Sequence, residues 1–189
     1  MTELAVRAAE TTARDSNSGT PMLNKILKII DTLSEYSGRI FIWLIAPMTL
    51  IVVYEVVSRR ILNAPHVWSI EVISYVYGTH FMLIAAYALL HKSHVSVDII
   101  FQRFSPRWQA IIEIFNYLVF FFPFCFIMFQ QGIIFAGTSW EIHETSQTAS
   151  LTVVPLVKTA IPVTFGLLLL QGLANFVRNI FLAVKGKEL

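Results

Sequence analysis

The chain has 189 residues, of which 56% are hydrophobic and only 14% charged, with a formal net charge of +2 at neutral pH. A mean hydropathy of +0.65 leaves too little polar surface to cover a water-soluble core and points to lipid as the solvent. The basic residues are scattered rather than gathered in a groove, which argues against nucleic acid, and the lone Cys125 rules out an intrachain disulfide or a cysteine-built metal site, leaving a small packing residue.

Residues 1–20 are polar and small, end in Ser16-Asn17-Ser18-Gly19, and lack the apolar stretch of a secretory signal. They read as a disordered cytoplasmic tail. Residues 21–189 then form one transmembrane domain. From Pro21 to Ser37, Leu23, Ile26, Leu27, Ile30 and Leu33 recur at steps of three and four, with Lys25, Lys28, Asp31 and Glu35 on the other arc. This pattern predicts an amphipathic helix lying in the membrane interface; the alternative is a simple extension of the first span into water.

Four apolar runs, at about 39–57, 72–90, 110–135 and 158–183, match the roughly 20 residues a helix needs to cross the hydrocarbon. Pro47, Pro123 and Pro162 fall inside them or at their starts, where membrane helices absorb proline as a local kink. Trp68, Trp108 and Trp140 sit at or near span ends, as an interfacial aromatic belt requires. Between the second and third spans, Val97, Ile100, Phe101 and Phe104 follow Ser96 at helical spacing, which predicts a short interfacial helix. The expectation is an all-α membrane protein: four transmembrane helices, an N-terminal amphipathic helix and a short interfacial one.

Orientation follows from Lys and Arg. With four spans, eleven of the fourteen basic residues share the side of the termini, while only Arg59, Arg60 and Lys158 lie on the other. Both termini are expected in the cytoplasm, and the loops around Asn63 and Ser146 outside.

Ionisable groups at membrane depth are costly, so each needs a partner or a role. Glu55 precedes Arg59 by four residues, the favourable order for a pair along one helix; contact with a basic residue of a partner subunit is the alternative. Glu71 opens the second span, where a carboxylate suits the positive helix end and Ser69 is near enough to help cap it. Glu113, near Arg107 and Trp108, is expected to reach the cytoplasmic interface. His80 is the deepest histidine, and no other span supplies a second axial ligand for haem, which favours a hydrogen-bonded packing role. The external trio Glu141, His143 and Glu144 is a weak metal motif. Asn116, Gln130, Gln131, Gln171 and Asn175 are amides suited to bonding between helices. No catalytic, cofactor-binding or metal site is expected, and nothing resembles a self-contained transport site.

Several short stretches resemble the small permease subunit of the tripartite ATP-independent periplasmic (TRAP) transporters. They are Arg59-Arg60-Ile61-Leu62-Asn63-Ala64-Pro65, Trp68-Ser69-Ile70-Glu71, Ala85-Ala86-Tyr87 and above all His94-Val95-Ser96-Val97-Asp98. Ser139-Trp140, Glu144-Thr145-Ser146, Val154-Pro155-Leu156, Lys158 and Ile161-Pro162 continue the likeness, and Leu168-Leu169-Leu170-Gln171-Gly172 resembles a mannitol or chloroaromatic subgroup. The resemblance implies a non-enzymatic subunit of the bacterial inner membrane. It implies a large permease as partner, which carries the substrate and sodium sites, and a periplasmic binding protein that delivers an organic acid. Glu55, Arg59, Arg60, Asn63, Trp68, Glu71, His94, Asp98, Trp140 and Pro155 are the candidates for partner contact or structural support. A haem or quinone anchor of a redox enzyme and a stand-alone small carrier remain as alternatives.

Overall fold

The computed structural model describes residues 21–91, 105–146, 148 and 151–185, all helix or connecting turns. Among the described residues six α-helices follow in order: α1 (Pro21–Ile42), α2 (Ile45–Ile61), α3 (Val67–Leu90), α4 (Pro106–Asn116), α5 (Phe122–Glu141) and α6 (Val154–Lys185). A π-helical turn, Tyr117–Phe121, joins α4 to α5. Four stretches are long and apolar enough to cross a membrane, as expected: Met22–Ile61, Val67–Leu90, Trp108–Glu141 and Val154–Val184. The tail, the predicted interfacial helix after Ser96, and His94 and Asp98 lie outside the described residues.

Helix α6 is the centre. It packs against α3, α4 and α5 and touches α1, whereas α2 packs chiefly against α3. The core joins Ala86 and Leu89 of α3, Cys125 of α5 and Leu168 of α6, with Phe121 and Phe165 against them. Cys125 is 2% exposed and packs there as a small apolar side chain. Most of the large apolar side chains of α2 and α5 point outward, as a protein solvated by hydrocarbon permits.

Two of the three prolines stand beside departures from the regular helical ladder, whereas Pro162 lies inside the uninterrupted α6. Pro47 has no N–H for the carbonyl of Trp43, and its ring crowds that carbonyl. The chain turns there through tighter bonds, Leu44 N to Phe41 O at 3.1 Å and Ala46 N to Trp43 O at 3.2 Å, separating α1 from α2. His80 Nδ1 lies 2.8 Å from the same Phe41 oxygen and ties the break to α3. This is the packing histidine the sequence favoured. Near Pro123 the ladder widens into the π turn, where Phe122 N bonds Tyr117 O.

Helix α1 corrects one detail of the amphipathic reading. Leu27, Ser34 and Gly38 are buried and Asp31 is half-buried, whereas Ile26, Ile29 and Leu33 face outward. The helix docks through a stripe of small and polar residues and offers its apolar arc to lipid. Gly38 makes the close approach possible: a Cβ there would sit 2.4 Å from Cβ of Tyr87 on α3.

Candidate functional site

The end of the bundle carrying the short loops is built from two hairpins. In the first, Glu55 sits one and a half turns before the end of α2, with its side chain 8% exposed. It accepts hydrogen bonds from Arg59 Nη2 at 3.0 Å and from the backbone N–H of His66 at 3.3 Å. The Ser69 hydroxyl lies 2.6 Å from Glu55 Oε2 and 2.7 Å from His66 O, so one proton serves two acceptors. The carboxylate thus fastens the end of α2 to the start of α3 and makes the pair with Arg59 that the four-residue spacing predicted. Asn63 turns the corner with φ +50°, a left-handed conformation that asparagine tolerates better than most residues. Ser58 Oγ donates to Ala64 O across the turn at 3.0 Å.

In the second hairpin Glu144 accepts from Ser139 Oγ at 2.6 Å and from Lys158 Nζ. Lys158 also lies 4.1 Å above the Phe135 ring, a cation over a π face. The hydrogen bond from Lys158, and then that from Ser139, holds the Glu144 carboxyl below the usual carboxylate range. Trp140 Nε1 donates to Thr159 Oγ1 at 2.9 Å, and Thr159 Oγ1 donates to the carbonyl of Pro155 at 2.7 Å. Pro155 occupies the first turn of α6, where its missing N–H removes no helical bond. His143 is turned back on Trp140 O at 2.8 Å and Glu141 is exposed, so Glu141, His143 and Glu144 do not converge, and among the described residues no group of three or more such side chains could hold a metal.

Glu71 joins the hairpins. Its Oε2 accepts from Ser146 Oγ at 2.5 Å, and Ser146 is held by Leu151 through bonds of 2.9 and 3.1 Å. This corrects the capping role expected of Glu71. Helix α3 starts at Val67, earlier than the apolar run suggests, and has no side-chain cap. Ser69 is engaged with Glu55, and Glu71 reaches across to the α5–α6 loop.

The other end of the bundle holds a second polar network. Gln171, fully buried, accepts from Ser34 Oγ at 2.7 Å and donates to Asp31 Oδ1 at 3.1 Å. Asp31 also pairs with Arg178. Asn175 donates to Tyr117 Oη at 3.3 Å and to Leu89 O at 3.4 Å. Asn179 donates to Glu113 Oε2 at 2.6 Å, so Glu113 is tied to α6. Gln171 and Asn175 therefore act as bonds between helices. Asp31 and Ser34 were not singled out by sequence; the signal is the polar and small stripe Asp31, Ser34, Gly38 on one face of an otherwise apolar helix.

A family model described as "Tripartite ATP-independent periplasmic transporters, DctQ component" matches residues 48–182, which include both hairpins and nearly all of α6. The chain belongs to this family. Comparison with curated proteins and with solved structures found no match to either. Membership makes the chain the small membrane subunit of a TRAP transporter, a multi-pass component of a transport system. In this DctQ component the motif residues have specific geometric work. Glu55, Arg59, Asn63 and Ser69 close one hairpin, and Ser139, Trp140, Glu144 and Lys158 close the other. Arg60 and Trp68 remain exposed.

Proposed function

We propose that this subunit is a fixed scaffold beside a large permease that carries the substrate and sodium sites, in the bacterial inner membrane, with both termini in the cytoplasm. A periplasmic binding protein delivers an organic acid to the pair, and the hairpin end around Asn63 and Ser146 forms part of its landing surface. One observation carries the reading. Polar side chains within the spans, Glu55, His80, Gln171 and Asn175, are bonded to neighbouring segments of the same chain, as suits a rigid support. A cavity of about 640 Å³ between α3, α5 and α6 has an apolar and aromatic lining that includes Leu89, Phe120, Phe124 and Phe165, unsuited to a carboxylate.

Reconstitution tests this. Proteoliposomes containing the chain and its large permease, supplied with the binding protein, should take up the organic acid along a sodium gradient. Omission of any one component should abolish uptake. Uptake by this chain alone would make it a carrier, and a Soret band in the purified protein would make it a haem anchor.

A further inference from the structure

A groove runs between α2 and α3 on the outside of the bundle, with a volume of about 280 Å³. On α2 it is lined by Val52, Val56, Arg59 and Arg60, which share one face at helical spacing, and on α3 by Ile70 and Ile73. The two guanidinium groups stand in the last turn of α2, where the span meets the headgroup layer, and the valines and isoleucines lie below them toward the membrane interior. Glu55, also in the wall, is balanced in charge by Arg59 and accepts further hydrogen bonds from Ser69 and the His66 backbone.

Arg60 is different. Few cations remain at this end of the bundle: Arg59 is paired with Glu55 and Lys158 with Glu144. Among the described residues Arg60 is exposed and has no ion-pair partner. The groove therefore presents one uncompensated positive charge at headgroup level and hydrocarbon-lined space beneath it. That is the polarity profile of a phospholipid, with an anionic phosphate above and an acyl chain below. Tyr54 and Trp68, whose rings are 6.2 Å apart, occupy the opposite faces of α2 and α3 by helical spacing, so the groove is separate from that aromatic surface.

We infer that the α2–α3 groove binds one anionic phospholipid of the leaflet on the Asn63 side, its phosphate on Arg60 and an acyl chain along Val52, Val56, Ile70 and Ile73. The inference goes beyond the scaffold role and does not rest on it.

Native mass spectrometry of the full chain, delipidated in mild detergent, tests the site with phosphatidylglycerol and phosphatidylcholine of matched chains. The wild type should retain phosphatidylglycerol about fivefold better, the effect of roughly one cation at a membrane surface. Arg60→Gln should erase the preference, Arg60→Lys should keep it, and Lys25→Gln at the opposite end should leave it unchanged. Val56→Phe, which fills the groove, should reduce retention of both lipids. Excess glycerol 3-phosphate should fail to displace the bound lipid, because the acyl chain supplies half the site. Equal retention of the two lipids, an undiminished preference in Arg60→Gln, or displacement by glycerol 3-phosphate would overturn the inference. So would expulsion of the lipid when the large permease binds, which would assign the groove to a protein contact.

Discussion

Ser34 donates its hydroxyl to Oε1 of Gln171 over 2.7 Å, although 137 residues separate them. Both are buried, at 1% and 0% exposure. In hydrocarbon this bond has no water to compete with it, and it joins α1, the N-terminal part of the apolar stretch Met22–Ile61, to the central helix. Replacing Gln171 with Leu should strand Ser34, leave Asp31 with Arg178 alone and lower stability by about 1–2 kcal/mol, whereas Ser34→Ala should cost roughly 0.6 kcal/mol. Thermal unfolding in detergent, with proteolysis of α1 as a second readout, measures both. Equal unfolding temperatures for wild type and Gln171→Leu would count against the brace.

Gly38 sets how closely α1 lies on α3. Its missing side chain leaves room for Tyr87, whose Cβ, Cγ and Cδ2 would all lie 2.4 Å from an added Cβ. Because Cβ of Tyr87 is fixed to the backbone, the clash cannot be relieved by rotating the ring. Gly38→Ala should destabilise by about 1–3 kcal/mol, the usual cost of overpacking. Tyr87→Gly, which removes that Cβ, combined with Gly38→Ala should recover part of that loss in a double-mutant cycle.

The Glu144 carboxyl is held below its ordinary range by Lys158 and then Ser139. A depressed folded-state value means that the carboxylate contributes stability above the unfolded-state pKa of about 4.3. That contribution falls away as pH drops through the lower folded-state value. Wild type should therefore exceed Glu144→Gln in stability by a constant margin near pH 7, and the margin should shrink progressively below about pH 4. Melting curves across that range check the sign; a margin that grew on acidification would contradict it.

Trp68 is 39% exposed, with Tyr54 beside it, and tryptophan is enriched at interface hot spots. Trp68→Ala should reduce recovery of the large permease with this subunit in mild detergent, with little change in the unfolding temperature of the isolated chain. Glu71→Ala should instead loosen the α5–α6 loop that Ser146 ties to it. If Trp68→Ala left both recovery and uptake intact, the aromatic surface would not be the contact.

Thr145 is exposed in the loop between α5 and α6. In a Cys125→Ser background, Thr145→Cys should react with a membrane-impermeant maleimide in intact cells, and Ser18→Cys only after permeabilisation. The reverse pattern would invert the proposed orientation.

Much of the fold was legible because membrane crossing depends on local composition. A run of apolar residues long enough to span lipid can be recognised wherever it occurs, and all four spans were. The Glu55–Arg59 pair was legible for the same reason, since its geometry belongs to a single helix turn. The break before Pro47 follows equally from local chemistry.

The sequence by itself therefore determined the solvent, the four membrane-length apolar stretches and the break before Pro47, all properties of contiguous segments. The partners of the polar groups were decided only by tertiary structure. Asp31 was read as the wet arc of an amphipathic helix, but α6 brings Arg178 and Gln171 to it. Glu71 was read as a local cap, but the α5–α6 loop brings Ser146 within 2.5 Å of it. Glu113 was read without a partner on another helix, but Asn179 reaches it from the last helix. In each case the nearest polar neighbour in space is far away along the chain, and a group in hydrocarbon must bond to whatever the packing of helices places beside it.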